Sequence, residues 1–247
     1  MIIGMPRPRS RCRIADLTER HEDIAADEQF DYIIQRVDPD DAVRTEELLS
    51  KGFRFHDRLL FMEIAGERIR KAVSNASSDG GLFTFERECP YTEEMQALAV
   101  ESFPTDRRFH YELLFDKTFG GGYESCIRQY LLQCESRNDV VIRALAGKQM
   151  QGFIILRDES CVSMENVMGV AGKSFLGRAA ALPLYQRALG YIYERKGAKA
   201  KYHGRVSGKN VPSVNLHCAL GARILYSYDE YIKKEIIPSC TVLKSFA

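Results

Sequence analysis

The sequence has no apolar run of the roughly 18 to 20 residues that a membrane-spanning helix requires. The stretch Met1–Arg20 alternates proline, arginine and acidic side chains where a signal peptide needs an apolar block. The chain also lacks an excess of charge, because 35 Lys and Arg residues are balanced by 34 Asp and Glu residues to a net charge of +1. A protein whose main partner is a nucleic-acid backbone is usually strongly basic. We therefore expect a cytoplasmic protein that binds neither a membrane nor a nucleic acid.

Cysteine pairs at metal-binding or redox spacing are absent as well. The seven cysteines are an odd number, and the sequence contains no C-x-x-C pair and no histidine pair at zinc spacing. The cysteines stand at positions 12, 89, 126, 134, 161, 218 and 240. We expect reduced thiols that serve as small buried apolar side chains, with no metal site and no disulfide framework.

What the chain does have is the composition of a globular protein, with 45% hydrophobic and 28% charged residues over 247 positions. Length alone allows about 1.6 average domains. The stretch Arg70–Gly81, RKAVSNASSDGG, is small, polar and glycine-ended, which is typical of a linker. We expect two domains, residues 1–78 and residues 79–247.

Apolar periodicity predicts an α+β chain. In residues 1–78, a strand ending at Val37, a helix capped by Asp38–Asp40 and a strand from Phe53 to Ile64 make a β-α-β unit. In residues 79–247 the predicted order is β-α-α-β-β-β-α-β-α-β, which includes a meander of three antiparallel strands. The predicted strands span 82–86, 140–146, 152–156, 161–170, 199–207 and 223–232, and the helices begin after Thr92 and span 125–134, 177–196 and 212–220.

Two parts of the chain repeat one pattern at a constant offset. Arg36-Val37 is followed by Gly52-Phe53, and Arg205-Val206 is followed at the same spacing by Gly221-Ala222. Each copy predicts a strand, a short helix, a helix-ending glycine and a returning strand. Chance similarity between two unrelated β-α-β units is the alternative interpretation.

The two copies differ in their polar residues. Asn210 and His217 of the second copy correspond to Asp41 and Leu48 of the first. If either copy carries out chemistry, we expect it to be the second, because only that copy has both an amide and a titratable side chain at these positions.

The strongest local signal for binding is a strand, Met164–Val170, followed by a loop, Ala171–Ala180, and then a long helix. Small residues let backbone N–H groups approach a ligand, and a helix N-terminus offers unpaired donors and the positive end of a dipole. The pattern favours a phosphate or pyrophosphate cradle, although neither G-x-x-x-x-G-K-[ST] nor G-x-G-x-x-G is present. An ordinary glycine-containing β-α turn is the alternative.

These segments together resemble a known family. The loop Ser174-Phe175-Leu176-Gly177-Arg178-Ala179, a strand ending near Asn210, and the run Asn215-Leu216-His217-Cys218-Ala219-Leu220-Gly221-Ala222 are similar to the GNAT superfamily of acyl-CoA-dependent N-acetyltransferases. In that family the pyrophosphate loop reads Q/R-x-x-G-x-G/A, and a tyrosine follows on a later helix. The likeness covers about residues 82–232. It departs at Ser174, where Gln or Arg is usual, and at His217, where the tyrosine is usual.

The resemblance implies a mixed, largely antiparallel sheet flanked by helices, with a smaller and degenerate partial copy of the same fold in residues 1–78. It also implies acetyl-CoA as co-substrate, with the pantetheine arm along the strand and the pyrophosphate at the loop. The residues that it assigns to this binding are Met168, Gly169, Val170, Ser174, Phe175, Leu176, Gly177, Arg178, Ala179 and Asn210. A role as a helix cap alone is the alternative for Asn210.

Two residues are candidates for catalysis. His217 occupies the position of the family's proton donor, and we hypothesise that it is the general acid that protonates the leaving thiolate. Glu165 is the best-placed carboxylate for a base that acts through a water molecule. Packing alone is the alternative for His217, and a solvated strand face is the alternative for Glu165.

The organisation of the whole chain is similar to that of the dTDP-fucosamine acetyltransferases and their relatives, which acetylate amines on nucleotide-linked deoxysugars. The run Arg107-Arg108-Phe109-His110 and the Leu220-Gly221-Ala222 ending contribute to this likeness. The resemblance implies an enzyme that moves an acetyl group from acetyl-CoA to a primary amine of a small acceptor. Another amine, such as a peptide N-terminus or an antibiotic, and a non-catalytic acyl-CoA-binding module are the alternatives. A homodimer is compatible with the sequence.

Overall fold

The computed structural model describes residues 2–3, 14–16, 32–75, 81–102 and 122–234. The strands in these ranges are β1 (Ile2–Ile3), β2 (Ile14–Asp16), β3 (Tyr32–Val37), β4 (Arg54–Ala65), β5 (Thr84–Arg87), β6 (Val140–Ala146), β7 (Gln149–Asp158), β8 (Ser163–Ala171), β9 (Lys201–Ser207) and β10 (Arg223–Lys234). The α-helices are α1 (Ala42–Ser50), α2 (Glu67–Ser74), α3 (Glu93–Ser102), α4 (Gly122–Ser136), α5 (Phe175–Lys196) and α6 (Val211–Ala219). None of these helices is both long and apolar enough to cross a membrane.

The chain divides into two compact units. One comprises the described residues up to Arg58 and from Tyr228 onward, and the other comprises Leu59–Ser227. A partial copy of the fold confined to residues 1–78 stays a prediction.

The unit Leu59–Ser227 is built on a mixed sheet in which β5, β6, β7, β8, β9 and β4 are neighbours in that order. Every pairing in this series is antiparallel except that of β8 with β9, which is parallel. The predicted meander β6-β7-β8 is therefore confirmed, as is the mixed, largely antiparallel α+β architecture.

β7 is covered on both faces of this sheet. Alternate side chains of a strand point to opposite faces, and Ile154 and Leu156 join the core cluster that contains Leu184 of α5. Phe153 and Ile155, on the other face, are also fully buried. This burial fixes the position of β7, and β7 in turn pairs with β8, the strand on which the candidate site is built.

In the other unit, β1 pairs antiparallel with β2, β2 pairs parallel with β3, and β3 pairs antiparallel with β10. Its buried cluster consists of Ile33, Val37, Leu48, Phe53 and Tyr231. Two ion pairs reinforce the strand pairing, between Arg36 and Glu230 at 3.1 Å and between Arg58 and Asp229 at 2.6 Å.

The repeat in the sequence is reproduced in the backbone. Asp41 caps α1 by accepting the N–H of Arg44 at 2.9 Å, and Asn210 caps α6 by accepting the N–H of Ser213 at 3.2 Å. Gly52 and Gly221 end the two helices at φ +83° and +85°, a conformation that glycine adopts without strain. The spacing between the two caps equals the spacing between the two glycines, and both equal the offset of the sequence repeat.

The strand pairing repeats at the same offset. Val37 of β3 lies opposite Asp229 of β10, and Val206 of β9 lies opposite Leu60 of β4. In both units the first strand of one copy is therefore paired with the returning strand of the other copy, in the same register.

Three local predictions need correction. The cap of α1 is Asp41 rather than the predicted Asp38–Asp40. Arg70–Gly81 is not a linker throughout, because α2 extends from Glu67 to Ser74, where Ile69 and Ala72 are buried. The long helix also begins earlier than predicted, at Phe175, because Ser174 caps it. The predicted pyrophosphate loop is thus mostly the first turn of α5.

The prediction of buried cysteine fillers is only partly correct. Among the cysteines whose side chains the structure describes, Cys134 is buried and Cys89 is partly buried, whereas Cys161 and Cys218 are exposed. Cys161 lies in the bend before β8, and Cys218 lies on α6 directly after buried His217, where its side chain points to another face of the helix.

Candidate active site

The candidate site lies where β8 and β9 separate. Their parallel pairing extends over Ser163–Asn166 and Lys201–Gly204, and beyond Asn166 the only described pairing partner of β8 is β7. On the β7 side, Ile155 lies opposite Met168 and Leu156 lies opposite Asn166, so that Val167 is an extra residue, a β-bulge. A bulge bends a strand and increases its twist, which accounts for the separation of the two strands at this point.

Four side chains form a hydrogen-bonded network at this point, and they come from β8, α5, β9 and α6. The Asn166 amide nitrogen donates to the Tyr185 hydroxyl at 3.1 Å and to the Tyr202 hydroxyl at 3.0 Å. The Tyr202 hydroxyl lies 2.7 Å from Nε2 of His217, and Nδ1 of His217 lies 2.8 Å from the backbone carbonyl of Ser213.

The direction of these hydrogen bonds follows from the Ser213 carbonyl. A carbonyl only accepts, so Nδ1 of His217 carries a proton, and in the neutral ring Nε2 must then accept the Tyr202 O–H. Burial lowers the pKa of His217 from its ordinary value of 6.5, although the bond to Ser213 opposes this, and the neutral ring is thereby favoured. Tyr202 then accepts from Asn166, so the NH2 group of the amide must face it.

The remaining amide atom is unsatisfied. Oδ1 of Asn166 is buried and has no hydrogen-bond partner in the described part of the chain. An unpaired buried acceptor costs about 1–3 kcal/mol. Burial also raises the pKa of Tyr185 to about 12 and that of Tyr202 well above its usual value, so both hydroxyls stay protonated.

Two glycines make room for the network. A Cβ at Gly169 would overlap the hydroxyl of Tyr185. A Cβ at Gly204 would lie 3.1 Å from Nε2 of His217, tighter than most side-chain contacts. The polar groups therefore fill the space that side chains at these two strand positions would otherwise occupy.

A second part of the site is the start of α5. Oγ of Ser174 accepts the N–H of Gly177 at 2.9 Å and donates to Oε1 of Gln151 at 3.4 Å. This leaves the N–H groups of Phe175 and Leu176 at the helix start to face an anion. A Cβ at Gly177 would overlap the carbonyl oxygen of Gly172, so the close packing of this turn requires glycine.

The other predicted binding residues occupy varied surroundings. Met168 and Val170 of β8 are buried, with exposed fractions of 2%, whereas Phe175 is 77% exposed. Arg178 and Ala179, in the first turn of α5, are exposed. Asn210 caps α6, and its assignment to ligand binding stays a prediction, as do the other assignments.

Glu165 lies next to Asn166 on β8, so its side chain points to the opposite face of the strand. It forms an ion pair with Arg205 of β9 at 3.2 Å. The structure therefore brings His217 and Asn166 together but not Glu165, whose role as a base stays a prediction.

Sequence reasoning missed Asn166, Tyr185 and Tyr202. A polar amide within the apolar strand β8 was a usable signal, because an unpaired amide is costly in a sheet that is covered on both faces. Nothing in the spacing of the two tyrosines pointed to Asn166, since they lie 19 and 36 residues away.

The run Arg107-Arg108-Phe109-His110, which contributed to the likeness to sugar acetyltransferases, falls outside the described residues. Within the described ranges, no cluster of three or more His, Cys, Asp or Glu side chains is arranged to hold a metal ion.

No protein-family model and no curated protein match the sequence. Solved structures are similar in fold. A tandem GNAT protein from the clavulanic acid biosynthesis pathway has a TM-score of 0.60 at 11% identity, covering 84% of this chain and 65% of its own. A GCN5-related N-acetyltransferase from Sphaerobacter thermophilus has a TM-score of 0.53 at 13% identity, covering 82% and 59%. Another from Kribbella flavida has a TM-score of 0.50 at 11% identity, covering 83% and 68%.

These likenesses show the GNAT fold and confirm the predicted fold class. The chain is shorter than these proteins, since it spans less than two thirds of the first two. The separation of β8 and β9 and the capped start of α5 are therefore features of a chain with the GNAT fold. The likeness shows this fold and does not show an activity.

Proposed function

We propose that the protein is an acetyl-CoA-dependent N-acetyltransferase that acts on the primary amine of a small acceptor. The observation that carries this proposal is the edge of β8 from Val167 to Ala171. Within the described chain that edge has no strand partner other than β7, and the Val167 carbonyl accepts the Tyr130 hydroxyl at 3.3 Å. The outward backbone groups after Val167 are left to bind an extended ligand. The pantetheine arm of coenzyme A carries amides that fit such an edge.

The pyrophosphate of the same ligand would lie at the start of α5. The first-turn N–H groups of Phe175 and Leu176 and the positive end of the helix favour an anion, and exposed Arg178 adds a charge nearby. The near-neutral net charge of the chain suits this arrangement, because backbone donors supply most of the attraction.

In the proposed reaction a neutral amine attacks the thioester carbonyl of acetyl-CoA. The C–N bond forms while backbone N–H groups at the bulge stabilise the developing oxyanion. The amine then loses a proton to Glu165 through a water molecule, the C–S bond breaks, and one proton is returned to the thiolate, which leaves as the free thiol. Glu165 is the proposed base. A general-acid role for His217 stays a prediction and requires a second proton on its ring, because Nε2 accepts the Tyr202 hydroxyl when the ring is neutral.

We propose a nucleotide-linked amino sugar as the acceptor. This proposal is supported by the likeness of the sequence to acetyltransferases of such sugars. A cytoplasmic location and a homodimeric state are likewise proposals.

The helix start provides a sharp test of coenzyme A binding. Gly177→Ala should lower the affinity for acetyl-CoA by about 10-fold or more, measured by isothermal titration calorimetry, because its methyl group displaces the Gly172 carbonyl. Gly190→Ala in the same helix is the matched control, since its Cβ would lie 3.9 Å from Val73, an ordinary contact. Equal affinities in the two variants, both folded by circular dichroism, would refute the binding mode.

Activity is tested by thiol release from acetyl-CoA with a panel of primary amines. The panel contains dTDP-fucosamine, a peptide with a free N-terminus and an aminoglycoside. Turnover with the nucleotide sugar supports the proposed acceptor, and turnover with another amine replaces it. Binding of acetyl-CoA without thiol release from any amine would favour a non-catalytic acyl-CoA-binding module.

A further inference from the structure

Asn166 has a hydrogen-bonding pattern that its place in a strand does not explain. It is the last residue of β8 that pairs with β9, and both hydrogens of its amide nitrogen are used by tyrosine hydroxyls. Its Oδ1 is buried without a partner in the described chain. The hydrogen-bonded network thus satisfies the amide nitrogen and leaves the amide oxygen able to accept a hydrogen bond from a donor.

We propose that Oδ1 of Asn166 accepts an N–H group of the bound substrates, and that Tyr202 and His217 are positioning residues that fix the orientation of its amide. This inference rests on the proposed function. Two sources supply such a donor, namely the amides of the pantetheine arm and the amine that is acetylated. Both pass the point where β8 and β9 separate.

The orientation is set by a relay of hydrogen bonds that starts at a backbone carbonyl. The Ser213 carbonyl fixes the proton on Nδ1 of His217, Nε2 then accepts from Tyr202, and the Tyr202 oxygen then accepts from Asn166. If His217 lost its acceptor function, Tyr202 could donate to the amide oxygen, and the amide would turn its NH2 group outward. That orientation would present a donor to a ligand N–H group.

The surroundings of His217 support this relay. Its ring packs against the rings of Tyr185 and Tyr202, with centroids at 5.3 and 5.7 Å. Its exposed fraction is 1%, so it acts on a ligand through Tyr202 rather than by direct contact.

The test compares acetyl-CoA with 3′,5′-ADP, which has the nucleotide of coenzyme A but lacks the pantetheine amides. If the pantetheine arm is the donor, Asn166→Ala should weaken acetyl-CoA binding by about 10-fold, measured by calorimetry, and leave 3′,5′-ADP binding unchanged. If the amine is the donor, the same variant should instead raise the KM for dTDP-fucosamine by about 10-fold, with a smaller change in kcat.

The positioning role is tested by a double-mutant cycle. Tyr202→Phe should weaken binding of the same ligand when Asn166 is present. It should have no further effect in the Asn166→Ala background, because both substitutions remove the same interaction with the ligand. His217→Leu should show the same dependence. Additive effects would mean that Tyr202 and His217 influence ligand binding independently of Asn166, which would overturn the positioning role.

The outcomes separate this inference from the proposed function. If Asn166→Ala changed neither the affinity for acetyl-CoA nor the KM for dTDP-fucosamine, the inference would be overturned and the proposed function would stand. A wild-type protein that does not bind acetyl-CoA at all would overturn both.

Discussion

His217 occupies the position that Leu48 takes in the first β-α-β copy, and both side chains are 1% exposed. A leucine at this position needs only a core. A histidine needs partners for both ring nitrogens, and the Ser213 carbonyl and the Tyr202 hydroxyl supply them. The polar network is therefore a modification of a packing position that the first copy retains in apolar form.

This comparison predicts how stability depends on pH. The pKa of His217 is lowered in the folded chain, so below its ordinary value of 6.5 the unfolded chain binds a proton that the folded chain does not. Its contribution to stability is fully present above pH 6.5 and is lost as the pH falls toward the folded-state pKa. Between about pH 7.5 and pH 5.0 this component lowers the free energy of unfolding by at most about 2 kcal/mol.

Urea denaturation at both pH values measures this effect in the wild type and in His217→Leu. The variant should lose less stability than the wild type between the two pH values, because the titrating ring is gone while the other ionisable groups remain. Parallel losses in the two proteins would show that His217 is not buried as a neutral ring.

At the scale of elements, the two β-α-β copies are matched controls for each other. Asp41 and Asn210 cap equivalent helices in the same way, each by accepting the backbone N–H of a residue in the first turn. A side-chain cap of this kind stabilises a protein by about 0.5–2 kcal/mol. The two caps are therefore suited to separating a structural role from a binding role.

We expect Asp41→Ala and Asn210→Ala each to lower the free energy of unfolding by about 1 kcal/mol, measured by urea denaturation. Asn210→Asp should keep that stability, because aspartate caps as well as asparagine. If Asn210 also contacts the pantetheine arm, Asn210→Asp should weaken acetyl-CoA binding, whereas Asp41→Ala should leave it unchanged. Unaltered binding in Asn210→Asp would show that Asn210 is a cap alone.

At the scale of the whole molecule, the described candidate residues are concentrated in one unit. Asn166, Gly177, Asn210 and His217 all belong to the unit Leu59–Ser227. That unit also contains the meander and the α5 helix on which the site is built. Ligand binding should therefore be linked to the stability of that unit.

Acetyl-CoA at about 100 times its Kd should stabilise that unit by about 2.7 kcal/mol. For a unit of this size, the expected rise in Tm is about 5–10 °C in a thermal-shift or calorimetric experiment. ATP at the same concentration is the control for a general polyanion effect. If neither acetyl-CoA nor coenzyme A shifted the transition, the proposed function would be excluded.

The local elements and their repetition follow from short stretches of the amino-acid sequence. Local signals such as strand alternation, helix caps and helix-ending glycines depend on residues close together in the chain. The elements that they specify, including the helix ends at Gly52 and Gly221, can therefore be predicted from neighbouring residues. The meander, the order of elements and the β-α-β repeat were predicted for this reason. The predicted linker at Arg70–Gly81 failed because the burial of Ile69 and Ala72, which stabilises α2, is tertiary.

The contacts between the polar groups of the site depend on the tertiary structure. Asn166, Tyr185, Tyr202 and His217 lie on four elements, and their hydrogen bonds depend on the β8–β9 register and on the placement of two helices. The sequence predicts His217 and Glu165 as the two candidates for catalysis. Adjacent side chains on a strand point to opposite faces, so Asn166 rather than Glu165 lies in the network with His217. Side chains far apart in the chain are brought together by packing, and no local spacing encodes that contact.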